Sequence, residues 1–395
     1  MRPGDLIGPV EIGPVAHGGH CVARVEGRVV FVRHVLPGEI VTARVTEVTS
    51  RFARADAVDV RTAAPQRVSP PCPNAGTCGG CDFQHVEASF QAELKRRVLA
   101  EQLQRLAGID WHGSVEQVPP VLGSRTRMRF VTADEGRLGL RAHRSHQVVP
   151  LPAQGCCIAH PSMPLDLALD TGGQGQPTDG AEPTTRHAEN QGVEYLGVVS
   201  SEGGRLVPAG SPASGEVVTQ QVGQHSFEVG VDGFWQSHRA APEILTRAVL
   251  EGLQPVRGEV AFDLYCGVGV FAATLVATGC RVWGVEGSKA AVGHARRNVP
   301  KARFFAGDVE RTLRRLPDRA DLVVLDPPRT GAGKAVMTAV ARLRPRAIAY
   351  VACDPAALAR DLGIARASGY EPSSIRGFDL FGMTHHLEAV AILQA

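Results

Sequence analysis

The sequence predicts an α/β protein in which a C-terminal doubly wound sheet follows a small OB-like β-barrel and a central β-rich region. Three observations predict it. From residue 236 onward, short apolar strands alternate with helical stretches, the rhythm of βαβ units on a parallel sheet. Before residue 62, short β-branched runs are separated by Gly and Pro turns without a helical period. The 395 residues are 44% hydrophobic and 21% charged, which at roughly 150 residues per domain gives two or three domains with apolar material for a core in each.

Residues 1–61 read as the barrel. VARVEGRVVFVRHV (22–35) mixes alternating and continuous β-branched residues and is followed by a Pro37-Gly38 turn and EIVTARVTEV. Arg24, Arg28, Arg33, Arg44, Arg51 and Arg54 offer a basic, RNA-binding face, but the segment also carries seven acids. Charge alone therefore does not separate an RNA-binding barrel from a structural one. Residues 62–235 form the central region, opening with Cys72-x5-Cys78-x2-Cys81. From Ser89 to Ala107, Phe90, Leu94, Val98, Leu99, Leu103 and Leu106 recur at helical spacing, and Gly108 stops the helix. Glu93 and Arg97 make an i,i+4 pair. The arginine-bearing strands RTRMRFVTA and GRLGLRA follow, interrupted later by a polar, Gly-rich stretch at 171–192 that is expected to be a flexible loop. In residues 236–395 the expected strands are Val260–Leu264, Arg281–Val285, Arg303–Phe305, Asp321–Leu325 and Ala347–Ala352.

Composition narrows the function. Lys plus Arg total 42 against 40 Asp plus Glu, a net charge of +2 that excludes a polybasic, histone-like protein. Nine cysteines are too few for a disulfide scaffold in a chain of this length. No run of 18 apolar residues occurs, and the N-terminus carries Asp5 and Glu11 where a signal peptide needs an apolar core. The expectation is a cytoplasmic protein without a membrane span.

Ligands of a doubly wound sheet bind at the carboxyl ends of its strands, and the informative residues lie there. The first strand runs into Asp263-Leu-Tyr265-Cys-Gly267-Val-Gly269-Val270, whose glycines permit a sharp turn and close approach to a ligand. Glu286 ends the second strand, placed to accept hydrogen bonds from ribose hydroxyls, and Asp308 follows the third, placed to contact adenine. Alone, these residues also fit an NAD-dependent oxidoreductase. The fourth strand ends in Asp326-Pro327-Pro328-Arg329, for which a dehydrogenase has no use. The fifth ends in Cys353-Asp354-Pro355, with Asp354 and Pro355 suited to N-cap and N1 of a helix. Cys353 then sits beside a helix N-terminus, which favours a thiolate, and beside Asp354, which opposes one. Glu388 precedes the last apolar strand and reads as a capping residue or a general base.

Asp326-Pro-Pro-Arg resembles the strand-four motif of S-adenosylmethionine-dependent methyltransferases, although the aromatic that amine-directed members place after the prolines is Arg329 here. GHCVARVEGRVVFVRHVLPGEIV, the three-cysteine motif, DGFWQSH, DLYCGVG, DPPR, VACDPAALARDL and HHLE follow one another in the order seen in RNA uracil-C5 methyltransferases. The chain resembles the subgroup of that family with a TRAM domain and an iron–sulfur cluster, over almost its whole length. The resemblance implies a class I methyltransferase domain, a TRAM barrel at 1–61, Cys353 as nucleophile and Glu388 as the base that removes the C5 proton. It places Gln236, Tyr265, Gly267, Gly269, Val270, Glu286, Asp308 and Asp326 around S-adenosylmethionine and the target base. It implies a [4Fe–4S] cluster on Cys72, Cys78, Cys81 and Cys156, with Cys157 as the other choice for the fourth ligand and zinc as the alternative metal. The implied partner is RNA, 23S rRNA ahead of tRNA, with the uridine unpaired or flipped out, bound by a monomer. Val270 and His238 stand where some members carry Asn. A non-catalytic RNA-binding or ribosome-assembly protein remains the rival of another class.

Overall fold

The protein is described by a computed structural model that covers residues 1–133, 136–166, 192–211 and 215–395. Apart from Gly192, the expected loop at 171–192 lies outside the described residues. Strands β1 (Leu6–Glu11), β2 (Cys21–Val25), β3 (Arg28–Arg33), β4 (Ile40–Val48) and β5 (Phe52–Thr62) form one sheet in the order β1-β4-β5-β3-β2. Gly13 and Pro14, continuing β1, exchange backbone hydrogen bonds with Val22 of β2 and close the sheet into a barrel. Alternate residues point inward, so Val30, Val32, Ala53 and Ala55 are buried while Phe31, Phe52 and Arg54 stay outside the core. The Arg54 guanidinium lies over both rings, 5.6 Å from Phe31 and 5.2 Å from Phe52. The acids blunt the basic face: Arg54 faces Glu47 at 3.3 Å and Arg33 faces Asp56 at 3.6 Å.

Helix α1 (Ala88–Ala107) ends at Gly108, whose φ of 64° lies in the left-handed region that favours glycine. Its apolar face serves two cores. Leu94 and Val98 pack with the barrel, whereas Leu99 and Leu103 join the core of the C-terminal sheet. Strand β6 (Val115–Gln117) adds to the edge of that same sheet. The span 62–235 therefore contributes its first part to the large sheet and its remainder to a separate one. That second sheet comprises β7 (Arg127–Thr132), β8 (Leu138–Arg141), β9 (Val148–Pro150), β10 (Glu194–Ser200) and β11 (Gly203–Pro208) in the order β11-β10-β7-β8-β9. A hairpin of β12 (Val217–Val222) and β13 (His225–Gly230) leads into the last segment.

The large sheet contains β14 (Val260–Leu264), β15 (Arg281–Glu286), β16 (Arg303–Ala306), β17 (Leu322–Leu325), β18 (Ala347–Ala352), β19 (Glu371–Asp379) and β20 (Glu388–Gln394), in the order β16-β15-β14-β17-β18-β20-β19-β6. Helices α2 (Ala241–Leu253), α3 (Val270–Ala277) and α4 (Lys289–Asn298) cover one face. Helices α5 (Val309–Thr312), α6 (Gly333–Arg342) and α7 (Pro355–Arg366) cover the other together with α1. The first five strands are parallel, but β20 runs antiparallel to both β18 and β19. The connection 380–387 between β19 and β20 is too short for a crossover and turns the chain straight back. The reversal matters for the site. Ala352 of β18 pairs with Ala389 of β20, which brings the start of β20 beside the end of β18. No described helix is long and apolar enough to cross a membrane.

Candidate active site

The turn after β14 is held in an unusual backbone. Tyr265 has φ 64° and Gly267 φ 51°, and a non-glycine residue in the left-handed region costs of order 1–3 kcal/mol. A Cβ on Gly267 would meet no atom within 4 Å, because the residue faces an open cavity. Gly269 is different. Its Cβ position faces Val299 at 3.1 Å and Phe304 at 3.4 Å, so it allows close packing of the turn against its neighbours and lies off the cavity wall. Glu286 accepts from the Gly267 N–H at 3.1 Å and the Ser288 N–H at 2.8 Å, which fixes its carboxylate at the cavity edge. Asp308 caps α5 by accepting from the Arg311 N–H at 3.0 Å. Asp263 is buried in the core beneath the turn and accepts from the Ala272 N–H at 2.8 Å.

The cavity measures about 860 Å³, enough for a nucleoside-sized ligand and a second group beside it. Tyr265, Gly267, Glu286 and Asp308 line one end, and Arg329, Cys353, His386 and Glu388 line the other, with Gln236 and Asp326 between. Trp235 is buried against Phe227 at a ring distance of 5.9 Å, so Phe234 and Gln236 on either side are left to face the cavity. Phe234 is 71% exposed at its rim. Val270 lines a smaller side cavity of about 50 Å³ shared with Gln236 and Asp326.

Burial shifts the titration of Cys353, Glu388 and Asp326. Removal from water pushes the Cys353 thiol up to about 12, with repulsion from Glu388, Asp326 and Asp354 adding to it and Arg329 opposing it. Glu388 is raised well above its ordinary value, first by burial and then by Asp326, again against Arg329. Asp326 rises to about 7 through burial and the nearby Glu286. The opposing effects on Cys353, balanced in the sequence, resolve upward. Asp354 does cap α7, accepting from the Ala357 N–H at 2.8 Å, and its other oxygen meets His17 Nε2 of the barrel at 3.0 Å.

Three cavity groups were not singled out from sequence. Arg125, hidden among the arginines of RTRMRFVTA, stacks its guanidinium 4.7 Å from the Phe381 ring centroid, and its buried Nε has no acceptor among the described residues. Phe381 and His386 come from the 380–387 connection; His386 stands in the quoted HHLE run without a role given to it, and nothing in residue type or spacing marks Phe381. Met383 in that connection has φ 65°. Its carbonyl accepts from the Asp82 and Phe83 N–H groups at 2.8 and 2.9 Å, and Asp82 also meets His385 Nδ1 at 2.6 Å. The cysteine-bearing segment thus fastens the loop that leads to Glu388.

The cysteines gather beside that loop. The Cys157 sulfur accepts from the Cys81 and Cys72 thiols, which draws it down to about 7 and drives Cys81 up. Cys78 and Cys156 lie near enough to interact with it. The Cys157 sulfur meets two cysteines of the motif, and Cys156, which the resemblance favours, packs with Cys157 against the small cluster that contains Cys81. Soft thiols in this number match the donors of a cluster or of zinc. Among the described residues, no three His, Cys, Asp or Glu side chains are arranged around one metal position. Cys21 and Cys280 are buried, as expected of small core residues.

A glycine turn on a seven-stranded core with one reversed strand, and a cavity running from ribose-type acceptors to a paired thiol and carboxyl, define a methyltransferase-type site. The family comparisons agree. The family model for tRNA (uracil-5-)-methyltransferase matches residues 221–395, and that for the TRAM domain matches residues 8–58. An RNA methyltransferase of Streptomyces avermitilis is 44% identical, the match covering 98% of this chain and 97% of that protein. One from Corynebacterium efficiens is 36% identical over 99% and 95%. The chain belongs to this family of S-adenosylmethionine-dependent RNA methyltransferases, in the uracil-5 branch, and is an enzyme. The crystal structure of a Pyrococcus abyssi tRNA (uracil-54, C5)-methyltransferase in complex with S-adenosyl-L-homocysteine superposes with a TM-score of 0.71 at 21% identity, covering 98% of this chain and 99% of that one. The fold is thus shared from end to end.

Proposed function

We propose that the enzyme makes 5-methyluridine in RNA through a covalent Cys353–uracil adduct. The carrying observation is that Cys353 and Glu388 line one cavity from adjacent strands, fixed by the Ala352–Ala389 pairing. Uracil C5 is a weak carbon nucleophile. Addition of the Cys353 thiolate to C6 places an electron pair on the C5–C4–O4 enolate. S-adenosylmethionine supplies the methyl group as a sulfonium that C5 attacks. Glu388 then takes the C5 proton, the C5–C6 double bond re-forms, and the Cys353 thiolate leaves. Gln236 and Asp326 face the base edge, and Tyr265, Gly267, Glu286 and Asp308 face the cofactor end. Incubation with 5-fluorouridine RNA and S-adenosylmethionine should trap a covalent complex, because fluorine cannot leave as a proton. Methylation by Cys353→Ser at the native rate would sink the mechanism.

The target we propose is an unpaired or flipped-out uridine of 23S rRNA, met by a monomer in the cytoplasm. The combination of TRAM barrel and cysteine set supports rRNA; the end-to-end likeness to a tRNA enzyme favours tRNA as the second reading. Mapping 5-methyluridine in the RNA of a deletion strain separates them. The thiols of Cys72, Cys78 and Cys81, with Cys156 or Cys157, are proposed to hold a [4Fe–4S] cluster with a structural role, since methyl transfer needs no electron. Anaerobically purified protein should be brown and contain iron; a colourless protein containing zinc overturns this.

A further inference from the structure

Cys353 stands in the wall between two cavities. The second, of about 220 Å³, lies on the barrel side and shares Arg329, Cys353 and His386 with the first. Its floor is apolar, with Phe83, Leu94 and Val98 buried. The His385 and His386 rings, 4.1 Å apart and tilted at 45° to each other, form one side. The barrel supplies the remaining wall through His17, Gly18 and Gly19. Gly19 sits so close that a Cβ would come 2.5 Å from the His385 Cβ. The volume falls below the roughly 300 Å³ of a pocket for a whole drug-sized ligand, yet a planar ring fits between such faces. Arg329 at the junction offers a cation where a strand passing from one cavity to the other carries phosphate.

Resting on the uridine reading above, we infer that this cavity receives the base of a nucleotide adjacent to the target uridine, so that the enzyme holds two neighbouring unstacked bases on either side of Cys353. Flipping one base exposes the faces of its neighbours, and an aromatic-walled slot restores the lost stacking. The slot exists only because the barrel loop closes it, which gives the TRAM domain a part in the active site itself.

The test uses the native enzyme and an RNA oligonucleotide spanning the mapped uridine, with the flanking nucleotides replaced one at a time by abasic residues. Stacking of one base predicts a fall in kcat/KM of roughly 5- to 150-fold at one flanking position. Val98→Phe, which fills the slot, and Phe83→Leu, which removes a flat face, should lower kcat/KM on intact RNA. Neither should lower it further on the sensitive abasic RNA. Equal transfer to intact and all abasic oligonucleotides overturns the inference, as do variant and abasic effects that multiply. If one variant does not fold, the other and the abasic series decide. Failure to methylate any RNA removes the uridine reading together with this one, a result distinct from indifference to the neighbouring base.

Discussion

Cys353 begins in the protonation state opposite to the one the proposed chemistry needs. A thiol raised to about 12 is protonated at neutral pH, and burial shifts the Glu388 carboxyl toward its protonated form as well. The reactive thiolate becomes commoner as pH rises, so kcat/KM, which reports groups of the free enzyme, should climb across pH 6–9 with a slope near one decade per unit. A flat profile there overturns a raised thiol in the free enzyme. Arg329 pulls Cys353 and Glu388 toward their charged forms, so Arg329→Gln should reduce kcat/KM by about tenfold or more at pH 7 and by a similar factor at pH 9, since both lie far below the raised thiol. Glu388→Gln leaves addition and methyl transfer possible but not proton removal. It should accumulate a Cys353-linked RNA visible on a denaturing gel, and a native turnover rate would remove Glu388 as the base.

At the scale of elements, the β14 turn is built over Asp263. Burial first, then Asp326 and Glu286, raise it to about 8 against the Ala272 hydrogen bond. Its folded value exceeds the unfolded one near 3.9, so its contribution to stability is complete below about pH 4 and is lost as pH rises through about 8. Asp263→Asn keeps the shape and the acceptor without the charge. Urea unfolding should show it within about 0.5 kcal/mol of native near pH 3.5 and more stable than native at pH 8.5, the amide having removed that share of the pH dependence. A variant less stable at both pH values would show that the protonated acid itself is required.

Across the whole molecule, α1 joins the barrel to the catalytic sheet. Lys95 of α1 is fully buried and paired with Asp379 at the end of β19, and its ammonium also donates to the Phe381 carbonyl at 3.0 Å. Burial lowers Lys95 while Asp379 opposes that shift. Removing one partner of such a pair costs about 3–5 kcal/mol, whereas replacing both with apolar residues is often neutral. Lys95→Met should therefore lower the urea midpoint strongly, and Lys95→Met with Asp379→Leu should recover most of the loss. Because the pair also anchors the connection that carries Phe381 and His386, Lys95→Met should lower activity even where the protein remains folded.

Much of this was legible along the chain. Gly108 ends α1, Asp354 caps α7, and the strands from Val260 to Ala352 stand where alternation places them, because helix stops, caps and buried parallel strands are set by local residue types. The order Asp263, Glu286, Asp308, Asp326, Cys353 marks successive strand ends for the same reason. What lies across strands was not legible. The reversal of β20 puts Glu388 beside Cys353, and the distribution of α1 between two cores depends on partners hundreds of residues away. Arg125, Phe381 and the Cys157 contacts likewise arise from packing between distant segments. The sequence by itself determined the fold class and pointed to the cofactor-side loops and to Cys353 and Glu388, the two side chains proposed to react. Only the tertiary structure decided how burial shifts those two groups, the off-wall place of Gly269 and the closeness of the barrel loop to Cys353, because burial and neighbouring charge belong to the packed molecule.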